Sequence, residues 1–249
     1  MDILETDAYD RRQRRNTSYM LLFFLLPFFF STAVYFYLWT PDSPASITSA
    51  GVKSAPALLL AAVVLSWNGG QSILGVVGGL IFSAIGDCCL IWPETILWMQ
   101  IKLQVGFFVH LQSLVKYYRY TPYSSSSWAR FLYVILVIVG GGSYIYIYPF
   151  LQKAPDSDQL TPAVAVYTAL ITVMAILAIR THHTATLLGG LTFMVSDLSL
   201  ALQVFKVMAP TKHGNTIVMV TYYLAQLLIA VGDIQAVENR DDFAKWKRS

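Results

Sequence analysis

Gly189-Gly-Leu-Thr-Phe-Met-Val-Ser-Asp197-Leu-Ser-Leu200 sets one carboxylate in the middle of an apolar run. Gly79-Leu-Ile-Phe-Ser-Ala-Ile-Gly-Asp87-Cys-Cys-Leu90 does the same 110 residues earlier. In both, the Asp lies eight residues after a Gly, directly after a small residue, and three residues before a Leu. Twenty-odd apolar residues at 1.5 Å rise per residue span the roughly 30 Å of a bilayer core, so each run reads as a membrane-spanning helix. A carboxylate there costs about 3 kcal/mol or more unless it is paired, protonated or facing water. Two in matching frames point to one shared polar site.

The rest of the chain agrees with a membrane setting. Its 249 residues are 56% hydrophobic and 12% charged, with mean hydropathy +0.55. Soluble domains carry about twice that charged fraction. The expected fold is all-α and polytopic, with eight spans: Tyr19–Trp39, Ile47–Trp67, Gln71–Trp92, Thr95–Tyr118, Trp128–Phe150, Thr161–Arg180, Thr184–Val207 and Thr216–Val237. Turn residues separate them, among them Pro41, Pro44, Asn68-Gly69-Gly70, Pro93, Pro155 and Pro210. Residues 1–18 and 238–249 form tails around a transmembrane domain of residues 19–237. The first span, following Arg11, Arg12, Arg14 and Arg15, is too long for a cleaved signal and reads as a retained helix.

Charge sets the orientation. With the N-terminus cytoplasmic, the inner side holds Arg11, Arg12, Arg14, Arg15, Lys116, Arg119, Arg130, Arg180, Arg240, Lys245, Lys247 and Arg248. The outer loops hold Lys153, Lys206 and Lys212. Twelve against three places both termini in the cytoplasm. The even offset between the two Asp frames also hints at a parallel four-plus-four repeat.

Depth brings further polar residues to the same layer. Lys53, Asp87, Asp197, Tyr222, Tyr223 and Gln226 lie about five to ten residues from the outer ends of four spans, which is roughly 7 to 15 Å below the interface. Gln226 shares a helix face with Tyr222 and Tyr223. His110 lies within the fourth span, towards its inner half. Bland readings compete with functional ones here. Lys53 either snorkels outward or pairs with an Asp, and the two carboxylates either lock helices together or do chemistry. Asp233 and Lys102, near span ends, are expected to snorkel. Adjacent Cys88 and Cys89 suit neither a metal site nor an ordinary disulfide and read as packing residues. No metal-ligand, serine-hydrolase or phosphate-loop spacing occurs, so neither metal nor cofactor is expected, and no nucleic-acid partner.

Ser83-Ala-Ile-Gly-Asp87-Cys-Cys-Leu-Ile-Trp92, Ser196-Asp197-Leu-Ser-Leu-Ala-Leu202 and Thr221-Tyr-Tyr-Leu-Ala-Gln226 resemble the signatures of the YhhN-like lysoplasmalogenases. Val52-Lys53 before Pro56, the Phe107-to-His110 stretch and Val34-Tyr-Phe-Tyr-Leu-Trp39 also fit. The resemblance implies a multi-pass enzyme of the endoplasmic reticulum that cleaves the vinyl ether bond of lysoplasmalogens. Its products are a fatty aldehyde and glycerophosphocholine or glycerophosphoethanolamine. It implies Asp87 and Asp197 as catalytic, with Lys53, His110, Ser83, Ser196, Tyr222, Tyr223 and Gln226 lining the substrate site. The substrate lysophospholipid and membrane lipid are the implied partners; whether the protein acts as a homodimer stays open.

The chemistry suits the residues. Protonation of the vinyl ether at its β-carbon gives an oxocarbenium ion, water adds at C1, and the hemiacetal collapses. That requires one acid and one anion. Two neighbouring carboxylates in a low-dielectric site supply both, because they do not both ionise. Glycosidases divide the same labour between two carboxylates. A proton-coupled carrier and a non-catalytic scaffold are the rival classes, since both also place carboxylates within spans.

Overall fold

Inside hydrocarbon the backbone has no water to bond, so an apolar segment closes its hydrogen bonds within itself, as an α-helix does. A computed structural model of the chain describes residues 3–38, 46–68, 73–89, 91, 127–153, 157–180, 183–205, 207 and 214–246. Every described element is helical: α1 (Ile3–Leu38), α2 (Ile47–Asn68), α3 (Gly78–Cys89), α4 (Ser127–Leu151), α5 (Ser157–Arg180), α6 (Thr184–Val204) and α7 (Gly214–Trp246). Six of these contain stretches long and apolar enough to cross a membrane. The expected fourth span, with Lys102 and His110, lies outside the described residues.

Two boundaries differ from expectation. α1 begins at Ile3 and α7 runs to Trp246, because a formed helix propagates into flanking Ala, Glu, Lys and Arg at little cost. The third segment is broken. A π-turn at Ile73–Val77 leads into a short α3, with Gly75 at φ −120 and ψ −108. Hydropathy does not register such a break, since the residues on both sides are equally apolar.

Packing groups the helices around α2 and α7. α6 and α7 form the most extensive pair; α2 packs on α1, α3 and α7, while α5 bridges α4 and α6. The main core joins Leu25 and Phe28 of α1, Leu60 and Val64 of α2, Leu80 of α3 and Ile234 of α7. A second joins Leu136, Ile171, Ala175 and Met194 across α4, α5 and α6. Glycine allows the close α6–α7 contact. A Cβ on Gly189 would stand 2.9 Å from the Ile229 backbone nitrogen, and one on Gly232 would meet Thr186. Such small-residue contacts suit helix pairs in lipid, where dispersion rather than water exclusion drives association. Phe23, Phe30, Ile138, Ile145 and Val195 are exposed on the outer faces, an apolar surface that a bilayer covers.

Asp233 corrects one expectation. It does not snorkel: it is buried and accepts a 3.0 Å hydrogen bond from Asn68 Nδ2. With an amide donor available on α2, the carboxylate is satisfied without leaving the bundle.

Candidate active site

Two other carboxylates are buried among the described residues. Asp87 comes from α3 and Asp197 from α6, and both are buried. Each is held by a tyrosine. The Tyr222 hydroxyl, from α7, donates to Asp87 Oδ2 at 3.0 Å. The Tyr167 hydroxyl, from α5, donates to Asp197 Oδ2 at 2.6 Å. The two carboxyl groups lie within electrostatic range of each other.

Asp87 has the more crowded surroundings. Lys53 of α2, Tyr35 of α1 and Tyr223 of α7 lie within electrostatic range of it. Ser83, one turn before Asp87 on α3, shares a hydrogen bond with Tyr222. The aromatic rings form a continuous wall. Tyr35 and Tyr223 pack edge-on at 5.5 Å between centroids, Tyr223 and Tyr222 at 5.5 Å, and Tyr222 and Phe193 at 6.2 Å. Edge-on and tilted aromatic pairs of this kind are favourable and fix ring positions, so the hydroxyls they carry are fixed too.

Several sequence-derived site residues have structural partners of their own. Tyr223 donates to the Lys53 carbonyl oxygen at 2.8 Å, tying α7 to α2. Ser196 donates to the Val218 carbonyl at 3.0 Å, tying α6 to α7 beside Asp197. Cys88 is part-buried and free, its Sγ 4.0 Å from the Ala50 carbonyl. Gln226 is different. It is 2% exposed, yet neither its Nε2 nor its Oε1 has a hydrogen-bond partner among the described residues. It stands one turn along α7 from Tyr222, so the same helix face offers a phenol, then a free amide.

Two members of the cluster are absent from the sequence-derived set, Tyr167 and Tyr35. Tyr167 lies six residues after Thr161, where its span is expected to start, at the depth that singled out Lys53 and Asp87. The same depth test applied to α5 finds it. Tyr35 is buried at 3%; the Val34–Trp39 stretch holds it, but among aromatics common at a membrane interface its hydroxyl is not singled out.

Six apolar helices around a buried, tyrosine-held pair of carboxyls define a multi-pass helical membrane protein with a polar site inside its spanning layer. Comparison with known proteins narrows the class. The profile described as the YhhN family matches residues 48–232, and the chain belongs to that family. It is 34% identical over 238 residues to Lysoplasmalogenase TMEM86A of Bos taurus, covering 88% of this chain and 92% of that protein. The Homo sapiens TMEM86A lysoplasmalogenase is 33% identical, over 90% and 92% of the two chains. Lysoplasmalogenase TMEM86B of Sus scrofa is 33% identical, over 85% and 87%. No solved structure matches.

Proposed function

We propose that this protein is a lysoplasmalogenase, a membrane-embedded hydrolase that cleaves the vinyl ether of a lysoplasmalogen to a fatty aldehyde and the glycerophospho-alcohol. One observation carries the mechanism: Asp87 and Asp197, on separate spans, lie within electrostatic range of one another and are each held by a tyrosine hydroxyl. The full-length similarity to proteins named as lysoplasmalogenases supports the substrate. One carboxyl protonates the β-carbon. The other, as its anion, stabilises the oxocarbenium ion and orients water towards C1. Electrostatic stabilisation aimed at developing charge is strongest where water is excluded, as it is among these buried side chains.

In this reading Lys53 holds negative charge at Asp87. Ser83 and Tyr222 set the Asp87 carboxyl, Ser196 and Tyr223 fix the helices that carry the site, and Gln226 offers its amide to the substrate. His110 contributes from the fourth span. Eight spans in two parallel halves, both termini in the cytoplasm and placement in the endoplasmic reticulum complete the reading. The lysine and arginine distribution supports the orientation. The matched Asp frames and the like order of packing, α1 on α2 on α3 and α4 on α5 on α6, support the repeat.

The test is aldehyde release from a lysoplasmalogen by the purified protein in detergent. The wild type releases aldehyde, and gives none from a lysophospholipid whose chain is a saturated ether. Asp87→Asn and Asp197→Asn, folded by their thermal melts, each lose about 10²- to 10⁴-fold, the scale of a lost acid or base. Wild-type rates in both variants sink the mechanism. Flux of a solute in sealed vesicles without aldehyde sinks the enzyme reading in favour of a carrier.

A further inference from the structure

Lys53 is rooted where three helices meet. Its backbone carbonyl accepts the Tyr223 hydroxyl of α7 at 2.8 Å. One turn earlier on α2, the Ala50 carbonyl lies 4.0 Å from Cys88 Sγ of α3. Cys88 follows Asp87 directly, and Tyr222, the residue before Tyr223, donates to Asp87 Oδ2 at 3.0 Å. Two consecutive tyrosines of α7 thus bond the α2 backbone at Lys53 and the carboxyl of α3. The Lys53 side chain is half-buried and lies within electrostatic range of Asp87. Side chains on a helix lean towards its N-terminus, so a lysine at 53 extends towards Ile47, where α2 begins. The Ala50–Cys88 contact puts the end of α3, at Cys89, beside that same end of α2. The apolar core of Leu60, Val64 and Leu80 lies the other way. A ligand anchored at Lys53 therefore keeps its charged part towards the helix ends and its chain towards the core, as an amphiphile in a bilayer requires.

Resting on the vinyl ether reading above, we propose that Lys53 is the phosphate anchor of the substrate, the residue that makes the site select a lysophospholipid over a phosphate-free alkenyl glycerol. The lengths agree. In a lysoplasmalogen the phosphorus stands five bonds from the vinyl ether oxygen, roughly 6 Å when extended. A lysine carries its ammonium the same five bonds from its Cα. With the vinyl ether at Asp87, the phosphate falls within the reach of Lys53. A phosphate brought so near a carboxylate is repelled in a poorly screened site unless a cation stands between them. An ammonium has three N–H donors, enough for the carboxyl and the phosphate together, and it meets phosphate as a compact point charge. Binding energy from this remote group then holds the vinyl ether against the carboxyls.

The experiment gives the purified full chain two substrates, a lysoplasmalogen and the 1-alkenylglycerol that lacks its phosphate. In Lys53→Met, close in shape and without charge, the ratio of kcat/KM between the two falls roughly tenfold to a hundredfold. The Tyr223 bond goes to the backbone carbonyl, so the substitution leaves it in place. Lys53→Arg keeps most of the ratio, since a guanidinium also binds phosphate. A second measurement needs neither a variant nor turnover. Calorimetric titration of the wild type with a saturated-ether lysophospholipid and with the matching saturated-ether glycerol gives binding at least about tenfold tighter for the first. Equal losses on both substrates in Lys53→Met, an unchanged ratio, a ratio as low in Lys53→Arg as in Lys53→Met, or equal binding of the two saturated ethers overturns the anchor. The levels separate cleanly. A wild type that releases aldehyde while the ratio ignores Lys53 sinks this inference alone; a wild type that releases none from either substrate sinks the vinyl ether reading and this inference with it.

Discussion

Gln226 carries a donor and an acceptor into a buried position where neither meets a partner among the described residues. Such a group costs about 1–3 kcal/mol, and native proteins keep it where function repays the loss. Gln226→Leu, close in shape and without polar atoms, is expected to raise stability by about 1–2 kcal/mol in a detergent melt. The same variant raises KM for lysoplasmalogen severalfold, because the amide no longer meets the substrate. A variant that is both less stable and kinetically normal shows that the amide serves the fold. At this scale the sequence was legible where energy made a residue conspicuous. Asp87, Asp197 and Lys53 stand out because charge is costly in an apolar span. Tyr167 and Tyr35 do not, since tyrosine is ordinary in membrane helices and its hydroxyl becomes informative only once its partner is known.

Gly189 shows what an element gains from a missing side chain. It lies two turns before Asp197 on α6, where its backbone passes close to Ile229 and Leu228 of α7, and further along the same pair Ser196 bonds Val218. Adding a methyl at Gly189 brings it within 3 Å of both Ile229 Cγ1 and the Ile229 backbone nitrogen. The nitrogen belongs to a helix and has no rotamer to yield. Gly189→Ala is therefore expected to push α6 from α7 and cost about 1–3 kcal/mol, the usual penalty of overpacking, read as a lower melting temperature. Because Asp197 rides on α6 while Tyr222 rides on α7, kcat falls as well. Full stability in this variant removes the close-approach argument. Helix positions followed from apolar length and turn residues, which is why Ile47, Arg180 and Thr184 lie at helix ends as expected. The break at Gly75 did not follow, because it is a backbone event between equally apolar neighbours.

Across the whole molecule, two polar layers are stacked along α2 and α7 with an apolar layer between them. One layer holds Lys53, Tyr223 and Tyr222, the other Asn68 and Asp233. Leu60 and Val64 of α2 and Ala230 of α7 fill the space between and are almost fully buried. Eleven residues separate Tyr222 from Asp233, about 16 Å along the helix. The Asn68–Asp233 pair is thus expected to clamp two helices rather than take part in the chemistry, and double substitution tests this. Asn68→Leu alone takes a donor from a buried carboxylate and is expected to cost about 1–3 kcal/mol. Asn68→Leu with Asp233→Leu replaces both polar partners by apolar ones, and recovers much of that loss, since a removed pair is cheaper than a broken one. Melts of the single and double variants give the coupling, and aldehyde kinetics give the separation of the layers. A kcat within about twofold of wild type in the double variant keeps the two layers independent. A stable double variant that releases no aldehyde instead makes Asn68 and Asp233 part of the catalytic apparatus, joined to the carboxylate pair through the face that Gln226 shares with Tyr222.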